Sequence, residues 1–162
     1  DVRSQRPADN NDIGSRREMK TNDFEIVVDD KLDEKVVEHL RNSLTAFNRV
    51  HAGHDEHKDL LIAVRDENEN IIGGLLGGTY YGYLHVDVLW VDEGYRRRGY
   101  GLRMLRAAEH EAIQRGCRYA HLDTHGFQAL PFYEKHGYHV VGELKDLPPG
   151  DSKYLMRKEL TD

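Results

Sequence analysis

At 162 residues the chain has the length of one domain with a full core, and its balance of 38% hydrophobic to 32% charged residues is that of an ordinary soluble globule. No apolar run approaches the ~18 residues of a membrane span, and the opening stretch lacks the apolar centre of a secretory signal. A net charge of −6 argues against nucleic acid as the main ligand, and a single cysteine, Cys117, excludes an internal disulfide and fits a reducing, cytoplasmic setting.

Residues Asp1 to Glu18 are polar, charged and aperiodic, and are expected to form a disordered tail or a fusion remnant, with a single domain over 19–162. Phe24 to Val28 reads as a short strand. Leu32, Val36, Leu40, Leu44 and Phe47 then recur at helical spacing, which predicts a helix to about Val50. His51, His54 and His57 invite a metal reading, but Gly53 and the surrounding charges make the segment a loop, so no metal is expected there. Leu60–Arg65 and Ile71–Tyr81 form a hairpin about the polar turn Asp66 to Asn70. The pairs Gly73-Gly74 and Gly77-Gly78 in its second strand mark bends or bulges, since another strand follows them.

That next strand, Tyr83 to Val91, alternates. Strict alternation places Leu84, Val86, Val88 and Trp90 on one face and His85, Asp87, Leu89 and Val91 on the other. His85 and Asp87 are ionisable groups in a strand that otherwise reads as buried, and an unpaired buried charge is costly, so they either pair or line a cleft. Their position just ahead of the next turn favours the cleft. The turn runs through Arg96, Arg97, Arg98, Gly99, Tyr100, Gly101 and Leu102 into a helix whose apolar positions Leu102, Leu105, Ala108, Ala112 and Ile113 continue to a stop at Gly116. A helix opening on a glycine-rich turn presents free N–H groups and the positive end of its dipole, and glycines let an anion approach. The turn therefore suits a phosphate. It lacks the Gly-Lys-Ser/Thr of a nucleotide-triphosphate loop and the third glycine of a dinucleotide fingerprint.

Cys117 follows as a small core residue. Tyr119 to Thr124 is a strand parallel to Tyr83–Val91, because the intervening helix makes a βαβ crossover. His121, Asp123 and His125 alternate there with Ala120, Leu122 and Thr124; a polar strand face bonded across the cleft is a simpler account of them than a metal site. Pro131 and Gly137 bracket a helix of barely two turns, and strands at Tyr138–Gly142 and Lys153–Lys158 flank the loop Asp146 to Asp151.

Two stretches carry a family resemblance. Arg96-x-x-Gly99-x-Gly101 after an apolar strand resembles the pyrophosphate-binding motif of the GNAT superfamily of acyl-CoA-dependent N-acyltransferases. Ala129-x-x-Phe132-Tyr133-x-Lys135-x-Gly137-Tyr138 is similar to a second GNAT signature at the family's usual separation. The resemblance covers Phe24 to the end, on motifs from Tyr83 onward and on element order before that. One departure is Gly126, where many members carry asparagine, so that a neighbour such as Thr124 would supply the missing contact to the pantetheine arm.

The resemblance implies an α+β fold: a mixed, mostly antiparallel sheet, a central parallel strand pair splayed around the acyl-CoA, and helices on both faces. It implies acetyl-CoA as co-substrate and an amine that attacks the thioester directly. The backbone from Arg97 to Leu102, with arginine side chains, would hold the pyrophosphate, and the strand edge at Leu89, Trp90 and Val91 the pantetheine amides. Tyr133 matches the family's tyrosine near the sulfur, a general acid for the departing thiolate. His85 falls where some relatives place a carboxylate, and with Asp87 is expected to take the ammonium proton. The expected acceptor is a small-molecule amine, suited to an acidic protein. A protein or peptide amine, or a non-catalytic acyl-CoA-binding module, are the alternatives, and a homodimer is left open.

Overall fold

The computed structural model describes residues 17–20, 25–53 and 57–161. Most of the expected tail, 1–16, lies outside them, as do Phe24 and His54; the last two residues of that tail, Arg17 and Glu18, open a strand. Two compact units divide at His54 and Asp55. In the first, β1 (Arg17–Lys20) pairs antiparallel with β2 (Glu25–Val28), and α1 (Glu34–Ala52) follows. Asp33 caps α1, its carboxylate accepting the amides of Lys35 at 2.9 Å and Val36 at 3.3 Å, while Gly53 at φ 78° ends it.

The second unit carries the predicted hairpin and crossover. Its strands are β3 (Lys58–Arg65), β4 (Ile71–Tyr80), β5 (Tyr83–Val91), β6 (Tyr119–His125), β7 (His139–Lys145) and β8 (Ser152–Glu159), with α2 (Tyr100–Gln114) and α3 (Leu130–Lys135) between them. They form one sheet in the order β3-β4-β5-β6-β8-β7, antiparallel throughout except for the parallel pair β5–β6. This is the expected mixed sheet with a central parallel pair. No described helix is long and apolar enough to cross a membrane.

α2 lays Met104, Leu105, Ala108 and Ala112 against Leu75, Leu84, Val86, Ala120, Leu122 and Met156, and all ten are buried. Each buried leucine contributes about 2 kcal/mol of hydrophobic stabilisation. Cys117 joins this core as expected. Tyr133 and Tyr138 close it from the α3 side. Tyr138 donates from its hydroxyl to Glu109 at 3.0 Å, and Lys158 pairs with the other oxygen of that carboxylate at 2.7 Å.

One expectation is corrected. In β4–β5, Leu76 opposes Val88 but Gly77 opposes Val86, so Asp87 is the extra residue of a bulge. An extra residue exchanges the faces of everything beyond it. Leu84 and Val86 therefore point into the α2 core, while Val88 and Trp90 are exposed and Leu89 and Val91 pack on the core in their stead. In β6 the alternation holds, with Ala120, Leu122 and Thr124 buried.

Candidate active site

The parallel register between β5 and β6 runs only from Tyr83↔Tyr119 to Val86↔Leu122. Beyond it, β5 stays paired to β4 and β6 to β8, so the two strands part where the bulge bends β5. The edge of β5 from Asp87 to Val91, including Leu89 and Trp90, is left without a strand partner on the β6 side. An extended chain with amides at the spacing of a peptide fits such an edge.

Directly after β5, Glu93–Tyr95 forms a 3-10 turn capped by Asp92, and α2 then starts at Tyr100. Arg97 at φ 60° and Gly99 at φ 81° set the turn, and no side chain caps the helix. Its first amides, through Gly101 and Leu102, thus lie free at the positive end of the dipole. A Cβ placed on Gly99 would meet nothing within 4 Å, so the turn is open rather than packed over. Two of the three arginines have local partners. Arg96 donates from Nε to the carbonyl of Val91 at 3.0 Å, tying strand to turn, and Arg98 lies 5.3 Å from the ring centre of Tyr95. Arg97 is exposed. The uncapped turn and the parted strands together fit a ligand with a diphosphate and a peptide-like arm.

Tyr133, on α3, is buried at 6% exposure, edge-on to Tyr138 and Phe132. Burial pushes its pKa up to about 12, so the phenol keeps its proton at neutral pH. The neighbouring loop is held by side chains: Thr124 Oγ1 accepts the Ala129 amide at 3.4 Å, and Asp151 accepts that of Phe127 at 3.1 Å. A Cβ on Gly126 would collide with the Asp151 carboxylate, so the residue at which the family motif departs is where the Asp146–Asp151 loop closes down. His125 reinforces the closure through a 2.9 Å hydrogen bond to Leu147 O.

His85 and Asp87 share a groove of about 510 Å³ with Leu76, Gly77 and the pair His57–Asp59. His57 bonds Asp59 at 3.0 Å. Tyr133 does not line this groove: it belongs to the hydrophobic core with the residues of α2. His85 stacks on His121, with ring centres 4.6 Å apart and planes 11° off parallel, and Tyr80 bonds His121 at 2.8 Å. Burial first, then His85, holds His121 below the usual imidazole range, with Asp123 opposing. The motifs gave no role to Tyr80, whose bond to His121 depends on strands β4 and β6 being brought together in the sheet.

Comparison with known proteins gives the family and the fold. A sequence model of the Acetyltransferase (GNAT) family matches residues 21–138. The chain is 36% identical over 132 residues to an acetyltransferase of Agrobacterium fabrum, covering 82% of this chain and 96% of that one. It is 41% identical over 95 residues to the blasticidin-S acetyltransferase of Streptomyces morookaense, covering 58% and 70%. The crystal structure of an acetyltransferase from Bacillus cereus superposes with a TM-score of 0.74 at 34% identity, covering 81% of this chain and 96% of that one.

Proposed function

This chain belongs to the Acetyltransferase (GNAT) family and is an acyl-CoA-dependent N-acetyltransferase, and on that premise we propose that it acetylates a primary amine of a small molecule. Acetyl-CoA, the family's acyl donor, supplies an activated acetyl group. The free amides from Arg97 to Leu102 and the exposed Arg97 side chain hold its diphosphate, and the β5 edge from Leu89 to Val91 holds the pantetheine amides and polarises the acetyl carbonyl. Asp87 attracts the ammonium of the acceptor, and the His85–Asp87 pair takes its proton. Tyr133 keeps a proton for the departing sulfur.

The observation that carries the reading is the end of β5–β6 pairing at Val86 and Leu122, beside an open, uncapped helix start. Three features support a small acceptor. The Asp146–Asp151 loop is fastened down onto His125 and Phe127. Tyr80 packs edge-on against Tyr81 and bonds His121, and Tyr83 lies against Tyr119 and His121. One relative acts on blasticidin S. The same reading takes the enzyme to be cytoplasmic, with no metal in its chemistry.

The test is release of free thiol from acetyl-CoA against polyamines, aminoglycosides, amino acids and blasticidin S, with the product weighed by mass spectrometry. At least one small amine is expected to gain one acetyl group per coenzyme A released. Turnover confined to peptide amines would overturn the small-molecule acceptor, and acetyl-CoA binding without turnover on any amine would make the chain a binding module.

A further inference from the structure

Among the described residues no hydrogen bond fixes the ring of His85, the imidazole that the proposed chemistry uses as base; its ring contacts are with His121 and Tyr80. An untethered base samples several rotamers, and proton removal needs one of them. What limits His85 is a stack. His121, its register partner on β6, lies face to face with it, ring centres 4.6 Å apart and planes 11° off parallel. His121 is tethered in turn: its Nε2 is bonded to the Tyr80 hydroxyl at 2.8 Å. Tyr80 stands edge-on to both imidazoles, 6.4 Å from His85 and 5.9 Å from His121. All three residues are half-buried, and none belongs to the α2 core, so closing that core does not require them.

The geometry of the stack decides what it can do. The N–H bonds and lone pairs of an imidazole lie in the plane of the ring, so rings stacked face to face cannot hand a proton across. His121 therefore acts on His85 by contact and by charge. Two imidazolium rings at this separation would repel. Burial first, then His85 itself, holds His121 below the usual imidazole range, so His121 stays neutral and does not oppose a proton arriving beside it. The other charged groups around the stack are Asp87 on β5, the His57–Asp59 pair at the start of β3, Asp123 on β6, paired with Lys153 at 2.7 Å, and Arg157 opposite His121 on β8. We infer that His121 and Tyr80 are positioning residues for removal of the amine's proton: the Tyr80 hydroxyl holds the His121 ring, and the face of His121 holds His85 in the Asp87 groove. This rests on reading His85 as the proton acceptor.

The test is a double-mutant cycle on the full chain at about pH 8, above the range where imidazoles charge. Its acceptor is the amine that turns over fastest among the polyamines, aminoglycosides, amino acids and blasticidin S. His85→Gln is expected to lower kcat by about 100-fold, within the range of general base catalysis. His121→Gln removes the ring face, and kcat falls by about 10- to 100-fold while the KM for acetyl-CoA changes by less than about twofold. In a His85→Gln background the same change has less than about a twofold effect, because a group that acts through another has nothing left to act on. His121→Phe restores the face without the tether and, like Tyr80→Phe, costs about 3- to 10-fold, the range of one neutral hydrogen bond. If His121→Gln does not fold, as judged by circular dichroism, Tyr80→Phe in the two backgrounds decides in its place. An unchanged kcat in His121→Gln, a loss of equal size with and without His85, or a KM for acetyl-CoA that rises in step would overturn the inference. Full kcat in His85→Gln would overturn it together with His85 as the base and leave the acetyltransferase reading intact, whereas no coenzyme A released with any amine would sink all three.

Discussion

A phenol held among Phe132, Tyr138 and the α2 core gives up its proton reluctantly, and the pKa of about 12 for Tyr133 states that cost. A donor in this state is fully protonated at any pH where the enzyme works, and it is a stronger acid toward a nascent thiolate than bulk water is. Tyr133→Phe removes the proton and leaves the ring packing in place. We expect kcat to fall at least tenfold, within the range of general acid catalysis, and the KM for acetyl-CoA to change less than twofold. Steady-state thiol release measures both, and an unchanged kcat would remove Tyr133 from the chemistry. The motif pointed to this residue; its burial became visible only once α3 was packed.

At the scale of the element, the bulge in β5 decides most. Alternation in Tyr83–Val91 was correct for the first half and reversed after Asp87, and Gly77 on the facing strand shows why. A Cβ at Gly77 would run into the backbone carbonyl of His85, which cannot move without breaking the ladder. Glycine there lets the two strands approach at the point where one has a residue too many. Gly77→Ala should destabilise the fold by about 2 kcal/mol, the order of a backbone clash in a packed sheet, and raise the KM for acetyl-CoA because the parting of β5 from β6 is no longer held. Thermal melting and steady-state kinetics check the two effects. Retained melting temperature and kinetics would show that the bulge tolerates a side chain. The glycine pairs announced an irregularity in the sequence, but which strand carried the extra residue depended on the cross-strand register of the β4–β5 hairpin, which alternation along one strand does not give.

At the scale of the whole molecule, pH reports on the buried polar groups. His121 titrates below the usual 6.5 because burial and the neighbouring His85 disfavour its charge. His136 is lowered as well, by desolvation and by Lys135, Arg106 and Lys158. A lowered imidazole pKa means that the unfolded chain binds the proton more readily. Stability should therefore be unaffected by these groups above about pH 6.5 and fall as the pH drops toward their folded values. His121→Gln is expected to flatten part of that fall, seen as a smaller loss of melting temperature between about pH 6.5 and pH 5. An identical acid limb in the variant would show that His121 takes up its proton as readily folded as unfolded. Tyr133 acts in the opposite direction: stability it contributes is lost as the pH rises from about 10 toward 12.

What the amino-acid sequence determined by itself was local. The hairpin, the glycine turn into α2, the short α3 between Pro131 and Gly137, and the two motifs rest on spacing within a few residues, where backbone geometry and side-chain period leave little choice. Tertiary structure decided the rest: the reversal of faces after Asp87, the end of β5–β6 pairing at Val86, the closure of the Asp151 loop over Gly126, and the stack that sets His121 on His85. The last three depend on segments distant in sequence, and the first on a single unpaired residue in a hairpin whose effect passes to every side chain beyond it. A periodic pattern read along one strand holds no information about its partner's register.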